Sequence, residues 1–248
     1  MLIGLLHHLS ENPVLVLFLL IGLGMLVGHV KVKSVSLGAA AVLFAGIALA
    51  AIGVSKGITV EVPAHLGTLG LAIFIRLSKK IRPGAIVTYS LIEGFSLGVI
   101  SYTFEAFFPG IVISAVLATL VVIGTTLAAF MMGFVRNSST LTRVAGIGSV
   151  AFFFYYLVTF ALSVTGMVDM RSVNSITVFG IPLGVIIGVL AVFIGVLCLV
   201  RDFDAVKVGV ASNVPVKYAW LCTFAIMTDV IWIYLEILRI LSYLMRRN

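Results

Sequence analysis

Charge is scarce in this chain. Only 10% of its 248 residues are charged and nine are acidic, while 62% are hydrophobic and the mean hydropathy is +1.27. A soluble domain carries about a quarter charged residues, so a water-soluble globular fold is excluded. Alternating short apolar segments of the outer-membrane barrel kind are also missing, because the apolar runs here are long and continuous. Cysteine is nearly absent. Cys198 and Cys222 both fall inside apolar runs, which points to buried free thiols instead of a disulfide framework. Nucleophile–base constellations, zincin helices, phosphate loops and Gly-rich dinucleotide motifs are lacking, and the chain is not expected to be an enzyme. His7, His8, His29 and His65 have no metal-ligand spacing with acids or cysteines. Met1–Leu9 has neither a basic n-region nor a small-residue cleavage site, so no cleaved leader is expected.

What is present is a series of eight apolar segments: Pro13–Val30, Val35–Val54, Ala64–Leu77, 83–107, 109–135, Leu141–Met167, Ser175–Val200 and Lys217–Tyr243. Most reach the roughly 20 residues needed to cross a hydrocarbon core of about 30 Å. The expectation is an all-α, polytopic membrane bundle of about eight spans, with the lipid bilayer as its solvent. The third segment is short and crosses only with snorkelling ends or a locally thinned bilayer. The net charge of +7 comes from short loops and is not a nucleic-acid footprint. Counted alternately, eleven loop basic residues from Lys31 to Lys217 fall on one side. Lys56, Arg171, Arg246 and Arg247 fall on the other. The positive-inside rule then makes the first side cytoplasmic and puts both termini outside. Gly180, Gly184 and Gly188 form a small-xxx-small ridge for close helix packing. The run FFFYY (Phe152–Tyr156) is read as core or lipid-facing surface more readily than as the lining of a site.

The stretch from Leu199 to Leu244 organises the rest. A charge within a spanning helix costs at least roughly 2.5–3.5 kcal/mol, and the last segment holds Asp229, Glu236 and Arg239 on one helical face. The segment before it runs into Arg201, Asp202 and Asp204. A hairpin of the two brings a second carboxylate towards Asp229. Carboxylates held together share a proton or recruit a cation, and a hard cation such as Ca²⁺ wants several oxygen ligands. Asp204 reads better as a helix cap or a solvated loop residue. Glu236 and Arg239 read as an i,i+3 pair. Glu93, again inside an apolar run, either lines the same interior or bonds a neighbouring helix. Arg76 either latches the aspartates or anchors the cytoplasmic side.

The pieces KKIRPGAIVTYSLIEGFSLGVIS, FEAFFPGIVISAVLATL, LVRDFDAVKVG, PVKYAW and WIYLEILRIL, spanning about 76–248, resemble the bacterial branch of the Bax inhibitor (transmembrane Bax inhibitor motif) family. The resemblance implies a seven-helix bundle around a central C-terminal helix, here with one additional N-terminal span. It also implies a cation leak gated by two aspartates, which fall by position on Asp202 and Asp229, with the family's basic helix end near Arg76. The first 75 residues, with NPVLVLFLLIGLGMLVG, SLGAAAVLFAG and HLGTLGLAIF, look instead like the opening helices of the aspartate–alanine exchanger family. The division expected is therefore 1–75 and 76–248. The functional expectation is a pH-sensitive Ca²⁺ leak channel or exchanger of the cytoplasmic (inner) membrane, with Ca²⁺ or H⁺ as the ion and no cofactor. The rivals are a secondary transporter of a small carboxylate or amino acid, and a non-transporting regulatory partner of a membrane protease or stress protein.

Overall fold

A computed structural model of the chain describes residues 31–32, 35–36, 71–72, 74–75, 78, 81–165 and 176–246. Two compact units are distinguished. One takes Met1–Ala106 with Pro215–Met227, and the other Phe107–Val214 with Thr228–Asn248.

Five helices among the described residues are long and apolar enough to cross a membrane: α1 (Pro83–Phe107), α2 (Ile111–Met131), α3 (Ser139–Thr165), α4 (Leu183–Ala211) and α5 (Ala219–Met245). The fold class is thus all-α and membrane-spanning. The described residues hold five such helices, not seven or eight. The first two expected spans, and most of the third with Arg76, His7, His8, His29 and His65, lie outside the described residues. Two short stretches of this N-terminal part are described: the two-residue strands β1 (Lys31–Val32) and β2 (Val35–Ser36) pair antiparallel, so the second expected span, Val35–Val54, opens as strand and not as helix.

Helical hydroxyls in an apolar solvent must find acceptors within the protein. They do so locally: Ser90, Ser96, Thr119, Thr126 and Ser149 each donate to the carbonyl four residues back, at 2.6–3.0 Å. In the first unit α1 buries Ile86, Val87 and Leu91. Tyr89 meets Phe224 edge-to-face at 5.0 Å between ring centroids, and Ser90 Oγ lies 3.3 Å from Met227 Sδ.

The second unit is built on α4, which packs against α2 and α3. The seventh apolar segment was expected as a helix over Ser175–Val200, and the structure corrects both ends. Thr177–Val178 (β3) and Ile181–Pro182 (β4) form a hairpin whose central residues, Phe179 and Gly180, have φ of 52° and 78°. Two positive-φ residues are what a tight hairpin turn requires. Gly180 therefore turns the chain and takes no part in a helical ridge. Helix α4 starts only after Pro182 and runs eleven residues past Val200, because no strong breaker intervenes in LVRDFDAVKVGVA. It closes at Asn213, left-handed at φ 50°, with Val214 N–H bonded to Gly209 O at 3.0 Å. Asp202 and Asp204 are helical, not loop residues.

The glycines of α4 let α5 approach. A Cβ on Gly184 would meet the Tyr243 ring at 2.5 Å, one on Gly188 would meet Ile240 Cγ1 at 2.6 Å, and one on Gly195 would meet Ile233 Cγ1 at 2.8 Å. Partners fall along α5 as they rise along α4, so the two helices pack antiparallel. A glycine groove admitting β-branched side chains is the usual device of membrane helix pairs. On the other side of α4, Gly148 of α3 sits equally close to Ile194.

Candidate functional site

Carrying the antiparallel register along α4 and α5 sets Asp229 opposite Leu199, within one helical turn of Asp202. Both aspartates are buried, at 7% and 5% exposure, which in a membrane protein puts ionisable groups where neither water nor lipid solvates them. Arg201 and Cys198 each lie within the electrostatic reach of both carboxylates. Arg201 Nε pairs with Asp202 Oδ1 at 3.2 Å. The other carboxylate oxygen of Asp202, Oδ2, is buried and accepts no hydrogen bond among the described residues. Asp229 does have a polar partner. Cys198 Sγ lies 3.1 Å from Ser149 Oγ, which ties α3 to the same cluster. Both cysteines are free thiols, Cys198 buried and Cys222 half-buried.

Asp204 does different work. Asn137 Nδ2 donates to its Oδ2 at 2.9 Å, and Thr142 Oγ1 donates to Asn137 Oδ1 at 2.9 Å. The carboxylate thereby fastens the connection between α2 and α3 to α4. Beside it, Phe130 meets Phe203 at 5.9 Å, and Lys207 Nζ stands 5.9 Å over the Phe130 ring.

A second polar cluster lies further along α5. Arg239 Nη1 donates to Glu236 Oε1 and Oε2 at 3.0 and 3.1 Å. Tyr156 of α3 joins them: its hydroxyl donates to Glu236 Oε1 at 2.6 Å and accepts from Arg239 Nη1 at 2.9 Å. Glu236 is 1% exposed, so its charge depends on these two partners. The Arg239 guanidinium also stacks over the Tyr156 ring at 5.0 Å. Residues Tyr155, Tyr156, Thr159, Arg239 and Tyr243 line a cavity of about 170 Å³.

The two aspartates are thus brought together, and Glu236 with Arg239 forms a separate centre. Asp204 is absorbed in a tether. Glu93 is half-buried on α1, where it has a partner, and belongs to the first unit. Arg76 lies outside the described residues. Sequence reasoning named Arg201 next to Asp202 but gave it no part in the site, where it pairs with that carboxylate. It missed Tyr156, which sat inside a run read as core or lipid-facing surface. That reading fits Phe153 and Phe154, which are exposed at 44% and 57%, but not Tyr155 and Tyr156. No group of three or more His, Cys, Asp or Glu is placed to hold a metal ion among the described residues. A resident metal centre built on Asp202 and Asp229 would need carbonyls or water to complete it.

Comparison with known proteins adds two kinds of relative. An uncharacterized transporter of Corynebacterium diphtheriae is 32% identical over 133 residues, which is 54% of this chain and 24% of that protein. Uncharacterized transporters of Geobacter sulfurreducens and Rhodopirellula baltica are each 42% identical over 67 and 64 residues, 27% and 26% of this chain. They are matched over only 12% and 11% of their own lengths. The chain therefore spans a quarter or less of the curated relatives it matches. No solved structure gives a significant match. The sequence profile described as Bax inhibitor 1 like, by contrast, matches residues 9–246. It covers the buried aspartates, the glycine-packed helix pair and the membrane helices alike, and the chain belongs to the Bax inhibitor 1 like family.

Proposed function

We propose that this protein lets cations, Ca²⁺ in the first instance, cross a bacterial cell membrane, and that Asp202 and Asp229 gate the passage. The observation that carries the reading is the Asp202 carboxylate. It is buried on a membrane helix, and one oxygen lacks a hydrogen-bond donor among the described residues. A buried acceptor left unsatisfied costs about 1–3 kcal/mol, and more when charged. A proton or a passing cation removes that cost. Arg201 neutralises the site in part, and Asp229, one turn away along the paired helix, supplies the second acid. Protonation at either aspartate changes the charge facing Arg201, and this makes the site sensitive to pH. Family membership supports a leak or exchange role. A seven-helix bundle with an additional N-terminal span, a division near residue 76, the inner membrane as location and both termini outside belong to the same proposal.

Ca²⁺ entry into dye-loaded proteoliposomes across a range of pH tests it. The wild-type protein is expected to leak Ca²⁺ with a pH-dependent rate. Asp229→Asn and Asp202→Asn, made separately, are each expected to change that rate at least tenfold and flatten its pH profile. Folded protein that passes no Ca²⁺ at any pH overturns the proposal. A second reading, transport of a small carboxylate, rests on the exchanger-like first 75 residues, and the partial relatives are named as transporters without a stated substrate. Counterflow of a labelled amino acid in the same vesicles decides for it.

A further inference from the structure

The cavity between the ends of α3, α4 and α5 is separate from the aspartate pair. Arg239 follows Asp229 by ten residues, roughly 15 Å along the helix. Its walls are Tyr155, Tyr156 and Thr159 from α3, Gly184 and Ile187 from the start of α4, and Arg239 and Tyr243 from α5. Arg239 makes all its described hydrogen bonds through Nη1. Its Nε and Nη2 have no hydrogen-bond partner among the described residues, and its side chain keeps 38% of its exposure. The Glu236 carboxylate is turned away, buried against Tyr156 and Arg239. What the cavity offers a ligand is therefore a guanidinium edge and tyrosine hydroxyls, not a carboxylate. A cation finds no acceptor charge there, and an apolar ligand would bury the guanidinium without compensation.

The geometry points to an oxyanion site, one that holds a phosphate group on the Nε–Nη2 edge of Arg239 with the hydroxyls of Tyr155 and Tyr243. Arg presents N–H groups in a fixed fork that matches phosphate oxygens. Tyr155 of α3 and Arg239 and Tyr243 of α5 line the same cavity, and donors supplied by two helices suit a tetrahedral group, whose oxygens point apart, better than the flat face of a carboxylate. The first turn of α4, at Gly184, adds the positive end of a 29-residue helix. Glycine at position 184 is also what lets the Tyr243 ring lie against that turn. The cavity lies about 9 Å from the end of α5, a depth within reach of a lipid phosphate as well as a soluble one. This site does not depend on cation passage through the aspartates.

The test uses the full chain in a maltoside detergent, free of phosphate headgroups. Inorganic phosphate is titrated against thermal unfolding, with chloride at matched ionic strength. Native mass spectrometry then scores retention of short-chain phosphatidic acid against diacylglycerol of the same acyl chains. Tyr243→Phe keeps the ring and loses the hydroxyl, and Arg239→Lys keeps the charge and loses the fork. Each is expected to weaken binding at least tenfold with the ligand-free melting temperature little changed. Should Arg239→Lys fail to fold, the paired change Glu236→Gln with Arg239→Gln leaves no lone buried charge and must also lose binding. Binding of phosphatidic acid alone identifies the source as a lipid headgroup, and binding of inorganic phosphate alone identifies it as a soluble phosphate. Either supports the site. No saturable response to either probe, or equal affinity in wild type and variants, overturns it.

Discussion

Glu236 shows how one residue's environment sets the effect of changing its neighbours. Its carboxylate is buried and held by two donors, Arg239 and Tyr156. Removing Arg239 alone, as in Arg239→Ala, strands that charge and is expected to destabilise the protein by roughly 3 kcal/mol, the lower end for a broken buried pair, because Arg239 itself is partly exposed. Changing Glu236→Gln and Arg239→Gln together is expected to recover most of the loss. Tyr156→Phe removes one donor and should cost about 1–2 kcal/mol. Unfolding of each variant by denaturing detergent measures the series, and a double variant no more stable than Arg239→Ala would refute the dependence. The pairing of Glu236 with Arg239 was legible, because i,i+3 spacing on a helix is a property of one element. So was the burial of Asp229, since a charge in a spanning helix has few places to go. Tyr156 was not legible. The run around it is apolar on every side, and which of its five aromatics face α5, as Phe152 does against Trp232 and Tyr156 does at Glu236, is decided by the packing of α3.

At the scale of elements, the pairing of α4 with α5 depends on small residues at a few positions. A Cβ at Gly188 would press on Ile240 and approach the Glu236 backbone. Gly188→Ala is expected to cost roughly 1–3 kcal/mol by overpacking, and Gly195→Val, against Ile233, at least as much. Gly124→Ala on α2 is the control. Nothing lies within 4 Å of a Cβ there, and stability should hold or rise slightly through better helix propensity. Denaturation curves for the three variants separate the cases, and equal effects would show that the glycine contacts do not matter. The five described spans were visible in the sequence, since each is a long apolar run. The boundaries of α4 were not. Hydropathy locates what sits in lipid, whereas Phe179–Gly180, Pro182 and Asn213 decide through backbone geometry where a helix begins and stops. An apolar hairpin followed by an apolar helix reads as one continuous segment, and a helix that continues into polar sequence reads as if it ended there.

For the whole molecule, the exposed apolar side chains are the surface offered to lipid. On α2 these include Ile113, Leu117, Leu120 and Val121, and on α3 Ile147, Val150, Phe154 and Leu157, recurring at helical spacing on one face of each. A nitroxide attached at Leu120→Cys, in a background without Cys198 and Cys222, should collide with oxygen far more often than with a water-soluble nickel chelate. One at Val210→Cys, near the end of α4, should show the reverse, and the same pattern at both positions would contradict this placement. The length of α4 has a mechanical consequence. Its 29 residues make a rod of about 43 Å, while the hydrocarbon it crosses is about 30 Å thick. The surplus lies either in tilt or in projection, so bilayer thickness acts directly on the depth at which Asp202 sits. A membrane of longer acyl chains draws that carboxylate towards oil, and a thinner one releases it towards headgroups and water. The protein is in this sense a gauge of the membrane that holds it. Reconstitution in phospholipids of graded chain length should shift the pH profile of the proposed leak without any change in the sequence.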